Sequence, residues 1–373
     1  MGNTRVVLTQ QRDTAQYIAT MNAAFRAKEM ALFYNIDSTS YPTASVPGGF
    51  PDDGPPTPND SVARVSGSVG SHKMGPAILL KVMSGDSVAF GARYFYRSNA
   101  SPGPDHSSLQ DIMTSLAQGL LTVAGGGHGA MADLNNTSGS PVYAALNSFL
   151  PANEQDATGK PKAYLNWMLL DNQFNYVSGN GQSGAQQVGA PDILNPPLAQ
   201  AIRLNHSEYL YIWVSNETEN WDVFFDNLSV NHYAGPMVEE THYYPFGLTM
   251  AGISDKALKG NYAENKYRYN KGSELQNKEF ADGSGLEMYD THFRQLDPQL
   301  GRWWQIDPKP EESQTPYGSM DNIQFYVTIQ TEIAYHASLR SAKQFMLRSR
   351  EKRWLLLAQR FTVGQMRSEL LPA

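Results

Sequence analysis

The chain is 373 residues long, carries a formal net charge of −7 at pH 7 and contains no cysteine. The acidic balance argues against a nucleic-acid partner, and the lack of cysteine excludes disulfides, thiolate metal sites and a cysteine nucleophile without bearing on export. Charged residues make up only 17%, whereas 31 glycines, 22 prolines and 20 tyrosines point to a turn-rich, mainly β chain of two or three domains.

Residues 2–9, GNTRVVLT, read as a strand after a Gly-Asn turn. No basic-then-apolar leader is visible, and the opening residues look like the middle of a repeat, so the natural start is expected upstream. No apolar run is long enough to span a bilayer. Over residues 14–34, Tyr17, Ile18, Met21, Ala24, Phe25 and Leu32 recur near helical spacing without Gly or Pro, which predicts a helix capped by Asp13 or Thr14. Residues 41–60 are a Pro/Gly/Asp-rich loop. Strands are expected over 77–83 and 88–97, joined as a hairpin at Ser84-Gly85-Asp86. A helix over 107–123 stops at Gly125-Gly126-Gly127, and a short second helix over 141–150 starts with Pro141. Strands follow over 162–170, 174–177, 208–214 and 221–233, with a flexible loop at 179–189.

The most distinctive punctuation comes later. Residues 289–308, YDTHFRQLDPQLGRWWQIDP, pack two Asp-Pro pairs and a Gly-Arg-Trp-Trp between short apolar runs, which is strand–turn–strand chemistry repeated. Tyr289-Asp290, Arg294, Leu296-Asp297-Pro298, Gly301-Arg302-Trp303 and Asp307-Pro308 resemble the core signature of bacterial RHS/YD-repeat proteins. Residues 267–275, YRYNKGSEL, resemble another element of that family, with Lys271-Gly272-Ser273 departing from its usual order. Residues 239–248, EETHYYPFGL, resemble the strand that normally follows a Gly-Asn-x-Arg strand closely. Here the two lie far apart, as if one hairpin had been opened at its tip, a position that tolerates insertion. The expected organisation is therefore 1–10 as the first half of a split YD-repeat hairpin, 11–236 as an inserted domain, 237–322 as the RHS repeat-associated core, and 323–373 as a basic tail. Residues 5–8 should then pair with, or lie beside, residues 242–246.

The inserted domain reads as a β-sandwich of jelly-roll or galactose-binding-like type with two or three helices. Its closing strand, VFFDNLSV at 223–230, resembles the last strand of many carbohydrate-binding sandwiches. The tail from Ile323 carries eight Lys/Arg against three Asp/Glu, while the rest of the chain carries 21 against 33. The family pattern breaks at the same point. Codon degeneracy permits a shifted frame there that restores an Asp-Pro-x-Gly string, so residues 323–373 are read as frameshifted. The alternative is a basic amphipathic helix over 337–361, with Phe345, Met346, Trp354 and Leu355 on one side.

Candidate chemistry is sparse. Asp290, Asp297 and Asp307 invite a paired-carboxylate reading, but Asp297 and Asp307 precede proline and fit turn roles. The aspartate-dependent self-cleavage that the resemblance implies belongs to the Asp-Pro-x-Gly region, which is missing in frame. The glycines at 125–129 lack the Lys-Ser/Thr of a phosphate loop. His106, His128, His206, His232 and His242 show no metal spacing. Asp222 or Asp226 alone are too few for a calcium site. Asn59, Asn135, Asn136, Asn205, Asn216 and Asn227 sit in N-x-S/T triplets at the level chance provides. Trp213, Trp221 and Tyr211, with Tyr209, are the candidates for stacking on a sugar, although strand alternation turns half of them inward.

No enzyme, cofactor or metal is therefore expected. The resemblance implies a structural piece of a secreted or cell-surface RHS/YD-repeat protein, toxin-related, whose β-shell encloses a C-terminal toxin or cargo domain and contacts neighbouring repeats. The alternative is an adhesion module that binds a glycan or another surface ligand.

Overall fold

The computed structural model describes residues 2–319 apart from 52–58, 100, 106, 110, 114–140, 155–158, 172–173, 179–181, 195–196, 251–253, 258–264, 271–272, 283 and 310–314. The fold is mainly β, and the chain divides into two compact units. The larger holds Arg5–His242 and Met250–Asn265. The smaller holds Met1–Thr4, Tyr243–Thr249 and the described residues from Lys266 onward. The tail at 323–373, the glycines at 125–129, His106, His128, Asn135, Asn136 and most of the helix expected at 107–123 lie outside the described residues; Leu109 and residues 111–113 are helical.

The larger unit is a sandwich of two antiparallel sheets. One has four strands, in the order β5 (Met74–Val82), β10 (Glu208–Asn216), β7 (Ala163–Leu170) and β8 (Gly184–Gln187). The other runs β3 (Ser40–Pro42), β4 (Ser61–Val65), β11 (Val223–Tyr233), β6 (Ser87–Tyr96) and β9 (Leu198–Arg203), with β2 (Thr14–Ala19) also on β11. Period-two alternation sends Ile78, Leu80, Leu165, Leu169, Leu210 and Ile212 from the first sheet into one core with Phe90, Tyr94, Val223, Phe225 and Val230 from the second. Phe90 and Trp167 meet across the sheets, ring centroids 5.5 Å apart.

β11 is long because a bulge divides it. Its first part, Val223–Phe225, pairs with β4, and Leu228–Tyr233 pairs with β2. Between them the register with β6 shifts, and Asn227 takes φ 51°. Buried Asp226 secures the bulge, accepting hydrogen bonds from the Asn227 amide nitrogen (2.8 Å) and from the side chains of Asn227 (2.7 Å) and Asn59 (2.8 Å).

Several expectations are corrected. Residues 14–34 are not one helix: 14–19 form a strand whose Ala15, Tyr17 and Ala19 turn inward, and only α1 (Arg26–Glu29) is helical beyond it. The helical spacing is a coincidence of scattered apolar residues, overridden by pairing along β11. A second short helix, α2 (Ile36–Thr39), follows. The turn at Ser84-Gly85-Asp86 is no hairpin, because β5 and β6 belong to different sheets; it is a corner that carries the chain from one layer to the other. The loop expected at 179–189 contains β8, and residues 174–177 contribute an isolated bridge instead of a strand. The helix from Pro141 is present as α3 (Pro141–Asn153).

Still in the larger unit, β1 (Val6–Leu8) pairs antiparallel with β12 (Met237–Glu240), Val6 opposite Glu240 and Leu8 opposite Met237. β13 (Asp255–Lys256) extends this sheet. The opening strand thus meets the returning segment at 237–240, slightly before the stretch the sequence suggested. The Thr9 amide nitrogen donates to the Pro236 carbonyl at 2.8 Å, and that of Ala234 to Asp13 at 2.9 Å, so the sandwich begins and ends at one place.

The smaller unit is a meander of β14 (Tyr267–Tyr269), β15 (Ser273–Gln276), β16 (Met288–Asp290), β17 (Gln295–Asp297) and β18 (Arg302–Trp303). Its register aligns Leu275, Tyr289, Leu296 and Trp303 as one cross-strand row, the contact that stabilises sheets.

Candidate functional site

The outer face of the four-stranded sheet changes character along β10 and β7. At one end Met74, Leu79, Met168, Tyr211 and Trp213 form an apolar layer beneath Leu146 and Phe149 of α3. One step further the paired positions become polar: Asn166 lies opposite Trp213, and Tyr164 opposite Ser215. There a cleft of about 280 Å³ opens, lined by Asn166, Ser215, Tyr164, Glu217, Asp105 and Phe149 among others.

Asn166 and Ser215 are buried, 2% and 3% exposed, and the Asn166 Nδ2 donates to Ser215 Oγ at 2.9 Å. Glu217 is fixed by Ser108, whose amide nitrogen (3.0 Å) and hydroxyl (2.6 Å) both donate to its Oε1. Asp105 accepts from the Thr218 hydroxyl at 2.9 Å and pairs with the Lys162 ammonium at 2.9 Å. Lys162 also pairs with Glu154, and its bonds to Glu154 and then Asp105 raise its pKa well above the usual lysine value. The lining thus has more carboxylates than cations.

The three sequence candidates for sugar stacking do not line this cleft. Tyr211 and Trp213 are fully buried beneath α3, stacked on each other at 4.9 Å, and Phe149 covers Trp213 at 5.4 Å. Trp221 is in the inter-sheet core against Tyr96, its Nε1 donating to the Arg97 carbonyl at 2.7 Å. None offers a ring face to a ligand: α3 covers Tyr211 and Trp213, and the inter-sheet core encloses Trp221. Tyr209 is half-buried under the Lys81 ammonium, 4.3 Å from its ring.

Other candidates have structural partners. His232 Nε2 lies 2.7 Å from Asp86 Oδ2, and buried Asp86 also accepts from the Met83 and Gly235 amide nitrogens. His242 Nε2 is 3.3 Å from Glu240. Asp222 pairs with Arg64 at 2.8 Å. No group of three His, Asp or Glu suited to a metal occurs among the described residues. Asp297 Oδ1 accepts from the amide nitrogens of Gln299 and Leu300, Asp307 Oδ1 from that of Lys309, and Asp307 Oδ2 pairs with Arg294 at 2.9 Å, which are turn and clamp roles.

In the smaller unit the motif residues lock into one another. Phe246 and Gly247 of the Tyr-Pro-Phe-Gly run take φ 68° and 92°. A β-carbon on Gly247 would lie 2.5 Å from the Tyr269 ring, and one on Gly301 would lie 2.7 Å from the Phe246 ring. The Tyr289 hydroxyl donates to the Gly247 carbonyl at 2.8 Å, and its ring lies 5.3 Å from that of Tyr269. Tyr243 stands 6.4 Å from Tyr269 and donates to the Thr4 carbonyl at 2.6 Å. Arg294 covers the Trp303 ring at 4.4 Å.

These features define a mainly-β protein, and among the described residues no helix is long and apolar enough to cross a membrane. No family model, curated protein or solved structure matches the chain.

Proposed function

We propose that the chain is a structural section of a bacterial RHS/YD-repeat protein, a secreted or cell-surface β-shell that encloses or presents a variable C-terminal toxin or cargo domain. The sandwich is a module inserted at a hairpin tip. The observation that carries this reading is the interlock in the smaller unit. Residues singled out by the resemblance, Tyr269, Tyr289, Gly247, Gly301 and Trp303, fix one another's positions and hold the meander. Their chemistry serves sheet geometry, Asp297 and Asp307 hold turns and Asp290 is an exposed strand residue, so the role is architectural and not catalytic.

Two further features support it. Phe293, Leu300, Trp304 and Ile306 are all at least 60% exposed, a large apolar display for an isolated sheet and a natural one where neighbouring repeats cover it. The β1–β12 ladder joins residues more than two hundred positions apart, as an opened hairpin requires. Electron microscopy of the chain expressed together with the sequence encoded on either side of it tests the reading. A hollow shell with the meander in its wall is expected; a particle without a shell would overturn it. The flanking coding DNA would at the same time fix the reading frame beyond Asn322.

A further inference from the structure

We infer that the cleft on the outer face of the four-stranded sheet binds one ring of a neutral sugar. The inference rests on the sandwich alone and is independent of the shell reading. Its starting point is the hydrogen-bond inventory of two buried side chains. Asn166 gives its Nδ2 to Ser215 and to the Tyr164 carbonyl, yet its Oδ1 receives no hydrogen bond from the described residues. Ser215 Oγ accepts from Asn166, yet its hydroxyl hydrogen has no acceptor among them. Both side chains line the cleft while being nine-tenths buried or more. Neither atom is sealed off from the cleft, so one acceptor and one donor stand side by side at its wall, in reach of a ligand.

The pairing selects the ligand class. An ammonium has only donors and would leave the Ser215 hydrogen unmet; a carboxylate has only acceptors and would leave Asn166 Oδ1 unmet. A hydroxyl supplies both at once. Charge points the same way, because Asp105, Glu154 and Glu217 surround the cleft with Lys162 as their counterion, and an anion would be repelled. Glu217 Oε1 is taken up by Ser108, which leaves its Oε2 to accept from a second hydroxyl. Leu109, Leu150 and Pro151, none of them fully buried, supply the apolar part of the lining against which the C–H face of a sugar ring rests. A volume of about 280 Å³ lies at the small end of ligand pockets, enough for one ring and too little for a chain.

The experiment titrates the full chain with a panel of free neutral hexoses and N-acetylhexosamines. Ammonium and acetate serve as the charged alternatives. A parallel arm presents immobilised oligosaccharides that end in the same rings, so that free and chain-terminal sugars are told apart. Saturable binding of at least one neutral sugar in either arm is expected, with no competition from the two ions. Ser215→Ala and Glu217→Gln should each weaken it about tenfold, the value of one hydrogen bond. Asn147→Trp, at an exposed lining position on α3, should plug the cleft without touching the core. Exposed Trp304→Ala should leave binding unchanged. Failure of every neutral sugar, preferential binding of either ion, or sugar binding indifferent to all three cleft substitutions would each overturn the assignment. Unaltered circular dichroism of Asn147→Trp keeps the test valid should a buried substitution unfold the sandwich.

Discussion

The Tyr289 hydroxyl donates to the main-chain carbonyl of Gly247 at 2.8 Å, and so ties a strand of the meander to a turn some forty residues earlier. Burial pushes the Tyr289 phenol well above the ordinary tyrosine pKa, with Tyr243 adding to the shift, so the hydroxyl keeps its proton throughout the working pH range. Tyr289→Phe removes the donor and leaves the carbonyl unmet. A loss of roughly 1–2 kcal/mol is expected from urea unfolding followed by a probe in the smaller unit. No loss would mean that the ring packing alone holds the turn.

Gly247→Ala should be worse. The backbone there sits at φ 92°, and the added methyl would lie 2.5 Å from the Tyr269 ring. Strain and overpacking add, giving a cost of about 3 kcal/mol or more. The paired variant with Tyr269→Ala relieves the clash and not the strain. Part of the Gly247→Ala penalty should therefore disappear in a double-mutant cycle, and strict additivity would count against the close fit.

Residues 11–236 should fold alone. The sandwich has its own inter-sheet core, and its ends are joined by the hydrogen bond from Ala234 to Asp13. The fragment loses the Lys81–Asp255 pair, 2.5 Å apart, whose second partner lies outside it, so its stability should fall somewhat while its melt stays cooperative. A dispersed amide spectrum and a single unfolding transition would bear this out; a collapsed state without fixed side-chain signals would show that the fragment needs the rest of the chain.

The long β-branched and aromatic runs that became β6, β7, β10 and β11 were readable because central strands bury both faces and repeat apolar residues densely, and β5, at a sheet edge, was readable because it too is buried almost throughout. β8 and β9, GAQQ and LAQAIR, stayed hidden, since sheet-edge strands keep polar residues on their open side. The turn chemistry of the meander was legible because Asp, Pro and Gly act locally. The seating of Gly247 against Tyr269 was not, because it depends on tertiary contact. The cleft escaped notice for the same reason. Asn166 and Ser215 are 49 residues apart, and neither belongs to a motif. Trp213 stands out by residue type, but α3 covers it through Phe149, a contact that depends on tertiary packing.

Glu208 opens β10 buried, and its Oε2 has no hydrogen-bond partner. Desolvation is the main reason its pKa is raised; His206 and Lys81 oppose the shift and Asp171 adds to it. The folded chain therefore binds this proton more tightly than the unfolded one, and stability falls as pH rises from the unfolded pKa through the folded one. Glu208→Gln removes that penalty. It should raise the melting temperature at about pH 7, and the gain should vanish by about pH 3, where both states are protonated. A gain that does not vary with pH would show that desolvation of the charge is not its source.

Asn216 ends β10 fully buried and holds three main-chain groups: its Nδ2 donates to the carbonyls of Val65 (3.0 Å) and Trp221 (2.6 Å), and its Oδ1 accepts from the Thr218 amide nitrogen (3.1 Å). It binds the end of one sheet to a strand of the other. The N-x-T triplet it begins is consequently closed to a modifying enzyme once the chain has folded. Asn216→Ala strands all three groups and should cost about 3 kcal/mol or more. Asn216→Asp keeps the shape but points a carboxylate at two carbonyl oxygens, so it should destabilise at least as much near neutral pH and recover in part on acidification, when a protonated carboxyl again donates one bond. If Asn216→Asp melted like the parent at neutral pH, the amide could not be the tie between the two sheets.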